Sequence, residues 1–131
     1  MSNAESGSIA VATLGGIGML LILGLWLGAL AQVSVARLDA ATAADAAALA
    51  AAPVTFLPFG ASGSPRDEAA RFARLNGSEL LSCVCIVDRS FANRTVVVRV
   101  TVSVRLPFVG DTRVEAVGRA EFVPALLLDS L

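Results

Sequence analysis

The hydrophobic pattern of this chain divides near residue 53. From Ile9 to Ala31 it reads IAVATLGGIGMLLILGLWLGALA, apolar all round a helix. Residues 6–36 carry no charge, and about 20 apolar helical residues suffice to cross a hydrocarbon core. The segment therefore predicts a transmembrane helix. Beyond Arg37 the pattern becomes LDAATAADAAALAAA, dominated by the residue of highest helix propensity. The first proline is Pro53. A single rod from Ile9 to Ala52 is expected, about 66 Å long at 1.5 Å per residue. Roughly half of it would be membrane span and half a stalk in water.

After the rod the period changes. Pro53 to Ser64 is a linker by its Pro, Gly and Ser content, with Phe56, Leu57 and Phe59 expected to pin it to the rest. Ser64-Pro65-Arg66-Asp67-Glu68 opens a helix running to Asn76, with Ser64 as N-cap and two acids at the positive end of the dipole. Ala69, Phe72, Ala73 and Leu75 form its apolar face, and Gly77 ends it. Leu80 to Val87 is apolar on both faces and reads as a covered strand. Arg94 to Leu106 alternates, with Val96, Val98, Val100, Val102, Val104 and Leu106 on one side and Thr95, Arg99, Thr101, Ser103 and Arg105 on the other, Val97 being the exception. Thr112 to Val123 repeats the alternation, with Val114, Ala116, Gly118, Ala120 and Phe122 inward. Pro107 to Asp111 turns the chain between them. Matching charges suggest a register pairing Arg105 with Glu115 and Arg99 with Glu121. The small inner residues Ala116, Gly118 and Ala120 leave room for a helix, either the stalk or the 65–76 helix. The expected fold is α+β: a long N-terminal transmembrane and stalk helix, and a small head with one short helix and a three-stranded antiparallel sheet. The expected divisions are an N-terminal tail (1–8), the rod (9–52), the linker (53–64) and the head (65–131).

Composition narrows the chemistry. The 131 residues carry a net charge of −1, which favours neither nucleic acid nor an anionic surface. There is no histidine and there are two cysteines, so imidazole catalysis and most zinc sites are excluded. Cys83 and Cys85 read as two small buried hydrophobes, since side chains two apart on a strand stand parallel and do not converge; a strained bridge between them or a link to another chain is the alternative. No base or metal partner is spaced to activate a nucleophile. The expectation is a protein without enzymatic activity, cofactor or metal. Arg37, the first basic residue after the span, would by charge alone draw the C-terminal part to the cytoplasm, and one arginine does not decide orientation.

Small residues fall at a spacing of four, interrupted at Leu20 and Gln32: Ala12, Gly16, Gly24 and Gly28 in the span, then Ala36, Ala40 and Ala44 in the stalk. In lipid such residues let helix backbones approach, and Gly24 to Gly28 is a literal GxxxG. A four-residue row drifts around a 3.6-residue helix, so it would meet several neighbours in a bundle. Glu5 is the one charge beside the apolar run, suited to the helix N-terminus or to pairing with a neighbouring chain during assembly.

An N-terminal Glu-x-Gly-Ser (Glu5 to Ser8), an uncharged span and the run Arg37 to Ala52 together resemble the TadE/TadG-like minor pilins of tight-adherence (Tad) pilus systems. Ala73 to Cys83 (ARLNGSELLSC) before valine-rich strands is similar to the short C-terminal domain of the actinobacterial branch. The resemblance implies a membrane-inserted pilin whose partners are the lipid bilayer, other pilin subunits, the pilus assembly machinery and a prepilin peptidase. It places the head outside the cytoplasm, at the cell membrane or in a pilus. The family's leader is cut after a glycine, which maps onto Gly7-Ser8. Five residues into that mature chain stands Ala12, where pilins commonly carry glutamate. Two alternatives remain: a single-pass membrane accessory subunit that never enters a filament, and a small secreted binding domain released after Ala31.

Overall fold

The computed structural model describes residues 3–59 and 63–129. Its first element is one unbroken helix, α1 (Asn3–Val54, 52 residues). A 3₁₀ turn (Leu57–Phe59) and a second helix, α2 (Pro65–Leu75), follow. Three strands come next, β1 (Glu79–Val84), β2 (Arg94–Leu106) and β3 (Gly110–Phe122), then a 3₁₀ turn at Pro124–Leu127. The strands form an antiparallel sheet in the order β1-β2-β3. The fold is the expected α+β arrangement, with both helices on one face of an open sheet. Pro53 falls in the last turn of α1 and has no N–H to donate to the Leu49 carbonyl, and the helix ends one residue later at Val54.

The stalk is not in water. Ala36, Ala40, Ala43, Ala44, Ala47, Ala48, Ala51 and Ala52 are all buried. Together with Ala69 and Ala73 of α2 they face Val96, Val98 and Val100 of β2 and Ala120 of β3 in one core. Alanine's short side chain brings the helix axis close to the sheet, and β3 answers with glycine at the point of nearest approach. A Cβ on Gly118 would stand 2.3 Å from the carbonyl carbon and oxygen of Ala44 and 2.6 Å from the nitrogen of Asp45. The alanine run is therefore both helix former and core, and the exposed rod is only the part of α1 above it.

Several local readings change. The β2–β3 register pairs Arg105 with Asp111 and Arg99 with Val117, not with Glu115 and Glu121. Both registers keep the same residues inward, because they differ by an even number of positions. The loop decides between them: it closes over Pro107–Val109 alone, with Leu106 paired to Gly110. Phe108 and Gly110 adopt positive φ (71° and 89°), and Arg105 Nε donates to Asp111 Oδ1 at 3.0 Å. β1 is an edge strand, not a covered one, and its apolar outer residues Leu81 and Val84 are exposed. Cys83 and Cys85 are joined as a disulfide, with Cα atoms 5.4 Å apart. The parallel-side-chain argument fails because β1 ends at Val84, so Cys85 is free of strand geometry.

α2 is capped as its sequence dictates, with Ser64 Oγ accepting from the Asp67 amide at 3.1 Å. Its inward face is Ala69, Phe72 and Ala73. Leu75 is exposed, because six residues of helical rotation carry it about 120° from Ala69. In the linker Phe56 is buried and Leu57 is not; the side chain of Phe59 lies outside the described residues, as do residues 60–62.

Candidate functional site

Among the described residues α1 is the one helix long and apolar enough to cross a membrane. Among the described residues nothing packs over its upper part, residues 9–28. Leu14, Leu20, Leu21, Leu23, Leu25 and Leu27 point outward with their neighbours on every side. Two of the hydroxyls in the chargeless stretch 6–36 bond back to the helix. Thr13 Oγ1 donates to the carbonyl of Ile9 at 2.6 Å, and Ser34 Oγ donates to that of Leu30 at 3.0 Å. Hydroxyls that bond back to the helix's own carbonyls are not left as orphan donors in hydrocarbon.

The four-residue row of small positions divides in two. Ala36, Ala40 and Ala44 are buried beneath the sheet. Ala12 is exposed, and added Cβ atoms on Gly16, Gly24 and Gly28 would meet nothing within 4 Å. One stripe of small residues thus serves the internal helix–sheet contact at its lower end and stands open at its upper end. Gly7 and Ser8 lie in the helix and are exposed. Glu5 lies in its first turns, with its side chain outside the described residues.

The hairpin tip comes down beside this exposed part. From Gly118, packed on Ala44, eight strand residues to Gly110 cover about 26 Å. Along the helix that distance is about 18 residues, which leads from Ala44 to Trp26. Accordingly a groove of about 440 Å³ opens between Ile22, Leu25, Trp26, Ala29, Leu30 and Val33 on α1 and Leu106, Pro107, Phe108 and Val109 at the tip. All ten residues are apolar.

Opposite the tip, the far end of the sheet is held by Arg94. Its guanidinium donates to the carbonyls of Thr55 and Asp88, each at 3.0 Å, and to those of Ser90 and Ala92. It also lies 5.6 Å from the ring centroid of Phe56, which in turn packs edge-on to Phe91. Thr55 and Asp88 exchange backbone contacts as well, the Asp88 amide donating to the Thr55 carbonyl at 2.9 Å. Arg94 therefore fastens the end of α1 to the 86–93 loop. The hydroxyl and the amide of Ser90 donate to the Asp88 carboxylate and hold it below its ordinary pKa. On α2 the Arg71 guanidinium does the same to Glu68. These groups lie in the head, remote from the exposed helix.

Neither Arg94 nor the hairpin tip stood out from the sequence. Arg94 opened a strand and looked like one more charge on it. The tip did carry a signal, since Pro-Phe-Val is an apolar choice for a turn that usually takes Gly, Asn or Asp.

No curated protein and no solved structure matches the chain. The segment Ala73 to Cys83, which suggests the actinobacterial branch, falls outside the one matched region. Residues 7–54, the helix from its exposed end to its last turn, match the family model Tad, described as "Putative Flp pilus-assembly TadE/G-like".

Proposed function

We propose that this chain is a minor pilin-like structural subunit of a Tad-type pilus that assembles through its N-terminal hydrophobic helix. The observation that carries the reading is a coincidence of extents. The matched segment follows α1 from residue 7 to its end, and the part of that segment the head leaves uncovered is chargeless and mostly apolar. In this reading the upper helix crosses the membrane once, the head lies outside the cytoplasm, and no chemistry is performed. The open small positions Ala12, Gly16, Gly24 and Gly28 form the face on which other pilin helices pack. Ala36, Ala40 and Ala44 hold the head to its own rod. Glu5 serves assembly, and a prepilin peptidase cuts between Gly7 and Ser8.

A second reading is a single-pass accessory subunit that stays in the membrane, favoured by Ala12 at the position where pilins carry glutamate. Mass spectrometry of the native N-terminus separates them. A chain beginning at Ser8 supports the pilin, and an intact start supports the anchored subunit. A chain beginning at Gln32 would refute both in favour of secretion. Changing Gly16, Gly24 and Gly28 to leucine is expected to weaken helix association in detergent. Unchanged association would remove the packing face from the proposal.

A further inference from the structure

The β2–β3 hairpin ends in Leu106-Pro107-Phe108-Val109, and neither the turn nor the core explains those side chains. Phe108 has φ 71°, a conformation that suits glycine or asparagine better than an aromatic residue. It is 92% exposed and Val109 is 73% exposed, so neither contributes to the packed interior. What both do face is the groove against Trp26, Leu30 and Val33 of α1. We infer that the hairpin tip is a second membrane contact, which dips into the leaflet on the head's side of the bilayer so that lipid acyl chains fill the groove. The inference rests on the reading of the upper helix as a membrane span.

Depth supports it. The uncharged window 6–36 is about 46 Å long, close to the ~40–45 Å of a bilayer with its headgroup layers. Residues at the level of Trp26 to Val33, about 7–18 Å from the middle of that window, then extend from the acyl chains to the headgroup layer on one side. The tip is at that same level. Charge sets the limit of entry: the exposed Arg105–Asp111 ion pair bounds the tip on both strands. Phe108 is three residues beyond Arg105, at the apex of the turn, so it reaches at most about 10 Å past the ion pair, within the ~5–10 Å to which interfacial elements sink. The apolar surface runs without interruption from the tip across the groove to the span. Apart from the Trp26 indole N–H no hydrogen-bonding side-chain group lines it, whereas protein interfaces regularly carry several hydrogen bonds. Acyl chains require none.

The test uses the full chain in phosphatidylcholine vesicles doped with lipids brominated along the acyl chain. Trp26 is the sole tryptophan and reports on the span in the unaltered protein. A second protein carries Trp26→Phe with Phe108→Trp, and a third carries Trp26→Phe with Val109→Trp in case the first fails to fold. The expected result is blue-shifted emission from the introduced indole, quenched more by bromines near the headgroup than by bromines deep in the chain. Adding Asp at the other tip position should reverse the shift. Quenching of Trp26 without quenching of the introduced indole overturns the tip contact and leaves the span standing. Loss of quenching at both overturns the contact together with the span. A blue-shifted but unquenched indole would mean that a second copy covers the groove, which also overturns it.

Discussion

Gly118 is where the helix and the sheet come closest, and substituting it with alanine tests the packing of the entire head. The added methyl carbon would meet Ala44 backbone atoms at 2.3 Å and the Asp45 nitrogen at 2.6 Å. Backbone cannot rotate away as a side chain can, so α1 must retreat from β3 by about 1 Å to restore ordinary contact. Overpacking of this kind typically costs about 1–3 kcal/mol. A gap of ~1 Å opened beside Val96, Val98 and Val100 forfeits up to about half of each dispersion contact there. Against this, alanine loses less entropy than glycine on folding, an offset of roughly 0.4–1 kcal/mol. The expected net loss is about 2 kcal/mol, with Gly118→Val worse. Amide hydrogen exchange of residues 94–122 in detergent micelles reads it directly. Exchange through global opening should accelerate about 30-fold, since ~1.4 kcal/mol is tenfold. Gly16→Ala provides the control, because its new methyl meets nothing within 4 Å and should leave exchange in the head unchanged. If Gly118→Ala also exchanges at the original rate, α1 does not lie on β3 as described and the buried-stalk account is wrong.

Three further outcomes follow from the head. Arg94→Ala should loosen residues 55–59 and 86–93 to exchange and cost about 1.5–3 kcal/mol for the part-buried charged bond to the Thr55 carbonyl. Arg94→Lys should restore little of it, because an ammonium cannot bridge several carbonyls as the guanidinium fork does. Ser64→Ala removes the acceptor for the Asp67 amide and should cost about 1 kcal/mol, read as a lower urea midpoint for the head, while Ser64→Asp should retain most of it. The Ser90 hydroxyl and amide hold the Asp88 carboxyl below its ordinary value. Because the shift is downward, its stabilisation is fully present at neutral pH. It fades as pH falls below the ordinary aspartate value and through the lowered one. Ser90→Ala should raise the Asp88 titration seen by NMR, and Asp88→Asn should flatten that acid limb of the stability curve.

How far each feature could be read in advance depended on whether local pattern or chain closure governs it. The inward face of strand β2 is legible in advance, because a two-residue period with valine on one side has a single solution, although Thr101 on the other side is buried as well. The α2 cap was equally local. The register of β2 and β3 was not, since charge matching and loop closure pointed to different partners and the three-residue turn prevailed. The edge position of β1 escaped the pattern because a short run apolar on both faces looks the same at the edge and at the centre. The row of small residues in α1 was visible as a row. That its lower end is already occupied by the protein's own sheet was not visible.

Sequence alone determined that this protein is built on one long helix with an apolar, chargeless upper stretch, because hydropathy and propensity act within a few residues of themselves. It also determined which faces of β2 and β3 turn inward. Only the tertiary structure decided what those faces meet. The alanine stalk became the core because small side chains on α1 and a glycine on β3 allow backbone contact, a fact held jointly by residues more than seventy positions apart. The same long-range contact sets the height of the hairpin, and so brings Phe108 down beside Trp26.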